Sequence, residues 1–165
     1  MATVQFKGSF VNTVGDLPKI GSKAPDFELT ALDLSTKHLR DFAGKKKVLT
    51  INPSYDTGVC QATARTFNQR VAERKDTVVL MISADLPFAQ KRFCESSGVD
   101  AVIPLSCFRS NFANEYGVKL ADGPLQGLTA RAVVVLDEND TVKHVELVSE
   151  ITSEPNYDHA LSALG

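Results

Sequence analysis

Only three cysteines and three histidines occur in 165 residues, and neither sign of charge prevails: 18 Lys and Arg face 20 Asp and Glu, a formal net charge of −2. An odd, small cysteine count excludes the disulfide framework of a small secreted fold. With no basic excess to hold a phosphate backbone, nucleic-acid binding is not expected. No apolar run approaches the ~20 residues that a membrane span needs. The opening MATVQFKGSFVNTVGDLPKIG alternates polar and apolar residues where a secretion signal would carry a basic patch and an apolar core. A cytoplasmic protein without a membrane partner is therefore expected. There is no C-x-x-C or H-x-x-x-H pair, so the usual frame of a structural zinc site is missing and no metal is expected. Repeats, low-complexity stretches and linkers are also missing, which leaves one domain over residues 1–165, long enough to bury roughly 70% of its unfolded surface.

What is present is a regular succession of elements. TVQFKG and SFVNTV alternate around Gly8 and predict a short hairpin outside the main core. Pro18, Gly21 and Pro25 punctuate a connection, DFELTALDL reads as extended, and LRDFAG reads as a turn of helix. KKVLTINP has the β-branched content of a strand buried on both faces. Next, ATARTFNQRVAE sets Ala64, Phe67 and Val71 at helical spacing. The strand TVVLMIS precedes a helix over PFAQKRFCESSG, where Pro87 suits the first turn and Gly98 the C-terminal cap. VIPLSCF reads as extended, SNFANEYG as a short helix, and ADGPLQGLTA as a loop. RAVVVLDENDTVKHVELV predicts a hairpin turning at DEND, and residues 155–164 a closing helix. This order is that of an α/β, thioredoxin-like fold: a central mixed sheet flanked by helices, with an N-terminal β-hairpin added.

The stretch NPSYDTGVC, residues 52–60, links a buried strand to a helix and ends on a cysteine. A helix N-terminus offers unpaired N–H groups and the positive end of the helix dipole, and both favour a thiolate. A disulfide reductase would carry a second thiol three residues before Cys60, where Thr57 stands instead. A hydroxyl there can hydrogen-bond the sulfur and an incoming oxygen, which suits attack on a peroxide O–O bond. That transition state needs fixed donors, and Arg131, a charge entering the apolar run AVVVLD after a Gly-rich loop, is the best candidate. Pro53 would stiffen the loop and limit water near the sulfur. A sulfenic acid is reversible only if another thiol condenses with it, and Cys94 and Cys107 are the internal candidates. Cys94 lies on a helix edged by Lys91, Arg92 and Glu95, which can open at modest cost. Cys107 follows the apolar VIPL, deeper in the expected core.

The pattern P-x-x-x-T-x-x-C at 53–60 resembles the active-site loop of peroxiredoxins. SADLPFAQKRFC, ADGPLQGLTARAVVVLDEND and SEITSEPNYDHAL are similar to the bacterial thiol peroxidase branch of that family, and the resemblance covers nearly the whole chain. It implies that Cys60 is the peroxidatic cysteine, with Thr57 and Pro53 as loop partners and Arg131 as the active-site arginine. It also implies that Cys94 is the resolving cysteine of an intrasubunit disulfide. The implied partners are hydrogen peroxide or organic (alkyl or lipid) hydroperoxides as substrates, thioredoxin as reductant and a second copy in a homodimer, with no organic cofactor. Cys107 is not part of the family pattern and reads as a buried structural thiol.

Three other readings compete. A cysteine hydrolase would need a histidine at the thiol, but His38, His144 and His159 fall in a loop, a hairpin strand and the last helix. A thiol-disulfide reductase is the enzymatic runner-up, and an interaction module with inert thiols the non-enzymatic one.

Overall fold

In the computed structural model, which describes residues 1–165, β1 (Thr3–Phe6) and β2 (Ser9–Asn12) pair antiparallel as a separate two-stranded hairpin. Its turn has positive φ at both Lys7 (50°) and Gly8 (83°), the backbone twist that joins adjacent strands without splaying them. Then come β3 (Leu29–Thr30), β4 (Thr36–Lys37), a 3-10 turn at Leu39–Phe42, β5 (Lys46–Ile51) and α1 (Gly58–Val71). β6 (Thr77–Ser83), α2 (Pro87–Ser97), β7 (Val102–Ser106), α3 (Phe112–Glu115), β8 (Ala132–Leu136), β9 (Val142–Leu147) and α4 (Tyr157–Ser162) complete the chain.

Seven strands form one sheet in the order β4-β3-β7-β6-β5-β8-β9. β5, β6 and β7 run parallel, joined by helical crossovers, while β8, β9, β3 and β4 pair antiparallel. Sheet and flanking helices match the expected mixed thioredoxin-like architecture. The extended reading of DFELTALDL is shortened to a two-residue strand and a turn, because the Leu34 N–H donates to the Ala31 carbonyl at 2.9 Å and the Asp33 carboxylate holds the Ser35 N–H at 3.0 Å.

Successive strand residues point to opposite faces, so the central runs are apolar throughout and feed two cores. Val48, Val79, Met81, Val133 and Val135 face α1, α2 and α4, meeting Phe67, Val71, Phe93 and Ala160. Leu49, Leu80, Ile82, Val134 and Leu136 face the other way, toward Phe27, Leu39, Phe112 and Tyr116. A small third cluster of Val4, Val11, Leu120, Ala130 and Ile151 fastens the N-terminal hairpin to the loop before β8. Lys47 of β5 is fully buried and pairs with Asp140 in the β8–β9 turn.

Candidate active site

Cys60 occupies the first turn of α1 because Thr57 caps that helix. Thr57 has extended backbone (φ −91°, ψ 144°), and its Oγ1 accepts from the Cys60 N–H at 3.2 Å while donating to the Ser54 carbonyl at 3.1 Å. In this arrangement the hydroxyl organises the loop and not the sulfur. Thr57→Ala is expected to lower stability by about 1 kcal/mol, the usual worth of such a cap, with Thr57→Ser close to wild type in urea unfolding.

Sγ of Cys60 is reached by one charged side chain. Arg131, immediately before β8 and only 2% exposed, donates Nη1 to Sγ at 3.1 Å and to Asn52 Oδ1 at 3.1 Å, and Nε to the Ile151 carbonyl at 2.8 Å. No carboxylate pairs with it. Its three acceptors are the Cys60 sulfur, the Asn52 amide oxygen and the Ile151 carbonyl. Asn52 is itself locked: its N–H donates to the Ile82 carbonyl at 2.9 Å, its Nδ2 to the Thr50 carbonyl at 3.0 Å, and its carbonyl accepts from Thr129 Oγ1 at 2.8 Å.

Cys60 is fully buried, and its partner Arg131 lines a cavity of about 410 Å³ together with Pro53, Thr57 and Val59. Phe6, Leu125, Leu128 and Ile151 also line it. The volume falls in the range of pockets for small organic ligands. Within the chain no group of three or more His, Cys, Asp or Glu is placed to hold a metal ion.

A second polar junction lies behind the Cys60 loop. The Asp85 carboxylate accepts from Ser54 Oγ at 2.9 Å, the Tyr55 N–H at 2.7 Å and Ser83 Oγ at 2.6 Å, and Asp85 stands just ahead of α2. Tyr55, buried, donates its hydroxyl to the Met81 carbonyl at 2.8 Å and meets the Phe93 ring edge-on at 5.4 Å. Burial, then the charges that Cys94, Asp85 and Cys60 can carry, hold its phenol well above the ordinary range. Tyr55 belongs to the same core as Cys60, and Cys94 packs against it.

The redoxin family model matches residues 19–161. The chain is 51% identical to the thiol peroxidase of Mycobacterium tuberculosis (strain H37Rv) over 165 residues, covering all of this chain and 99% of the relative. It belongs to the redoxin family, as a peroxiredoxin of the thiol peroxidase branch. A peroxiredoxin-like protein from Aquifex aeolicus superposes with a TM-score of 0.91 at 40% identity, over 98% of this chain and 95% of that one. The thiol peroxidase from Chromobacterium violaceum, at 22% identity, shares the fold with a TM-score of 0.88 over 97% and 93% of the two chains.

All three thiols of this peroxiredoxin are unpaired. Cys60 lies within the core on the α1 face of the sheet, and Cys94, half-buried on α2, packs against that same core. Cys107 is buried in the core on the opposite face. Burial first, with Glu95 adding, pushes the Cys94 thiol up to about 11, and burial pushes Cys107 to about 11 as well. A thiol raised in the folded state binds its proton more tightly there than in the unfolded chain. Its contribution to stability is complete below the ordinary thiol value, roughly 8.5, and is lost as pH rises through about 11. Urea unfolding is therefore expected to show a loss of about 3 kcal/mol from Cys107 across that window, absent in Cys107→Ser.

The sequence reading missed Asn52, Asp85 and the hairpin's share of the cavity. Asn52 had a signal, a polar residue closing the apolar run VLTIN; the other two arise from chain segments meeting across the fold. The three histidines stay apart from Cys60: His38 beside Glu28 and Asp41, His144 on β9, and His159 on α4.

Proposed function

We propose that this thiol peroxidase reduces hydrogen peroxide and organic hydroperoxides with Cys60 as nucleophile, Cys94 as resolving thiol and thioredoxin as reductant. The Cys60 thiolate attacks the terminal oxygen of ROOH, the O–O bond breaks, and the leaving alkoxide takes a proton to become ROH. Cys60 then carries a sulfenic acid. The Cys94 thiolate attacks that sulfur, hydroxide leaves and takes a proton as water, and the Cys60–Cys94 disulfide is returned to two thiols by a dithiol. Negative charge spreads over sulfur and two oxygens in the first step. The observation that carries the reading is the Arg131 Nη1 donor 3.1 Å from Sγ, on a buried guanidinium with no carboxylate partner. Pro53 and Thr57, on the cavity wall, shape the approach of the peroxide. The apolar walls favour an alkyl substituent over water.

A disulfide needs Cα atoms about 4.4–6.8 Å apart, and α1 and α2 are each packed on the sheet, so part of one or both opens during turnover. The proposed working unit is a single domain of 165 residues in a homodimer. The cytoplasm, whose reducing thiols keep cysteines free, is the proposed compartment.

The decisive assay supplies the purified protein with thioredoxin, its reductase, NADPH and cumene hydroperoxide. One NADPH consumed per hydroperoxide is expected. Insulin reduction without peroxide consumption would establish the disulfide-reductase reading instead.

A further inference from the structure

Among the buried residues of α2, which are Pro87, Gln90 and Phe93, only Gln90 is polar, and none of its surface is exposed. It stands one helical turn before Cys94, on the same side of the helix. Its amide is divided. Nε2 donates to Ser83 Oγ at the end of β6 and to the Leu105 carbonyl of β7, each at 3.1 Å. No donor of the chain reaches Oε1, which is also buried.

The clip continues toward Cys60. Ser83 Oγ donates its own hydrogen to the Asp85 carboxylate at 2.6 Å, and that carboxylate holds Ser54 Oγ and the Tyr55 N–H of the loop before α1. Neither acceptor depends on Gln90 alone: Ser83 Oγ also accepts from the Asp85 N–H at 3.2 Å, and Leu105 pairs with Ile82 in the β6–β7 ladder.

Packing does not call for an amide at this position. A methionine has nearly the same length and helix propensity, would fill the same space and would strand no oxygen. The difference appears when α2 lifts from the sheet. Water then serves both ends of the Gln90 amide, whereas the closed helix serves only one, so the closed state is held less firmly than an apolar side chain would hold it.

We infer that Gln90 is a positioning residue for resolution: its half-satisfied amide sets how readily α2 opens, and so how fast Cys94 reaches a sulfenic acid on Cys60. The inference rests on the proposed resolving role of Cys94. In that step the Cys94 sulfur displaces hydroxide from the Cys60 sulfenic acid, and the S–S bond forms. While α2 is closed, a second hydroperoxide competes. Its terminal oxygen goes to the same sulfur, ROH leaves, and the product is a sulfinic acid that thiols do not reverse.

The test is a single-turnover experiment on the full chain with cumene hydroperoxide, quenched in time and read by mass spectrometry for sulfenic acid, disulfide and sulfinic acid. Gln90→Met is expected to slow disulfide formation ~10-fold, the scale of one buried acceptor left unserved, and to raise the sulfinic fraction. Gln90→Ala, which removes clip and burial together, is expected to speed disulfide formation. Oxidation of Cys60 by the first hydroperoxide keeps its wild-type rate in both. Hydrogen exchange of the α2 amides in the reduced protein should follow, slower in Gln90→Met and faster in Gln90→Ala. A general disturbance of packing would shift both variants in one direction. Disulfide formation at the wild-type rate in Gln90→Met, or shifts of the two variants in the same direction, overturn the inference. If the wild type forms no Cys60–Cys94 disulfide, it is the resolving role of Cys94 that fails, and the inference with it.

Discussion

Cys60→Ser is expected to consume no hydroperoxide at all, while Cys94→Ser consumes one equivalent per chain and then stops. The first result follows because a serine hydroxyl is not ionised near neutral pH, and the proposed nucleophile is the thiolate. Arg131 would then face a neutral group that cannot displace the alkoxide. In Cys94→Ser the first chemical step is intact, so oxygen is transferred once and the sulfenic acid persists. Mass spectrometry should find a dimedone adduct on Cys60, and thioredoxin should drive no further turnover. Cys107→Ser should turn over like the wild type, since Cys107 belongs to the core on the opposite face of the sheet from the one Cys60 and Cys94 share. A peptide map of the oxidised protein joining Cys60 to Cys107 would refute the assignment of Cys94.

Arg131→Met should slow the reaction of Cys60 with peroxide by ~10²- to 10³-fold, the usual effect of losing a donor aimed at developing oxyanion charge. The deficit should persist at a pH high enough to ionise the thiol fully, because the guanidinium acts on charge that appears on oxygen as the O–O bond breaks. Stopped-flow rates across pH separate the two roles, and complete recovery in alkali would confine Arg131 to balancing the thiolate. Arg131→Lys is not a rescue. A single ammonium cannot serve Sγ, Asn52 Oδ1 and the Ile151 carbonyl from one position as the planar fork does. Removing the fork also strands the Asn52 and Ile151 acceptors, at about 1–3 kcal/mol each where they stay dry. Far-UV circular dichroism of the variant therefore accompanies the kinetics.

Periodicity made most of the architecture readable. Runs such as VVLMI and AVVVL, apolar at every position, have to be covered on both faces, and both lie in strands flanked on either side within the sheet. The helix after residue 57 could be placed because Thr57, Ala64, Phe67 and Val71 obey helical rules without help from the rest of the chain. Arg131 was visible for a related reason, a charge at the entry to an apolar strand. Asp85 and Lys7, which lines the same cavity as Arg131, were not. A carboxylate after a strand and a lysine in a hairpin turn are ordinary surface residues by local pattern. What gives them a place near Cys60 is contact with segments about 30 residues away in one case, through Ser54 and Tyr55, and more than 100 in the other, through Glu150. The pairing of strand DFELTALDL was equally hidden, since its turn depends on the Asp33 side chain as much as on hydrophobic order.

The Asp85 junction bears on how the two thiols find one another. Its carboxylate is shared between the segment leading into α1 and the segment leading into α2, so neither can leave the sheet while all three of its hydrogen bonds remain. The first excursion has to break an acceptor that both helices use, and the second then starts from a junction already dissolved. Opening on the two sides is therefore expected to be cooperative, a single foldon in place of two independent frays. On the proposed mechanism, Cys60 and Cys94 would become mobile within the same event, and a sulfenic acid formed at Cys60 would not have to wait for two rare fluctuations to coincide.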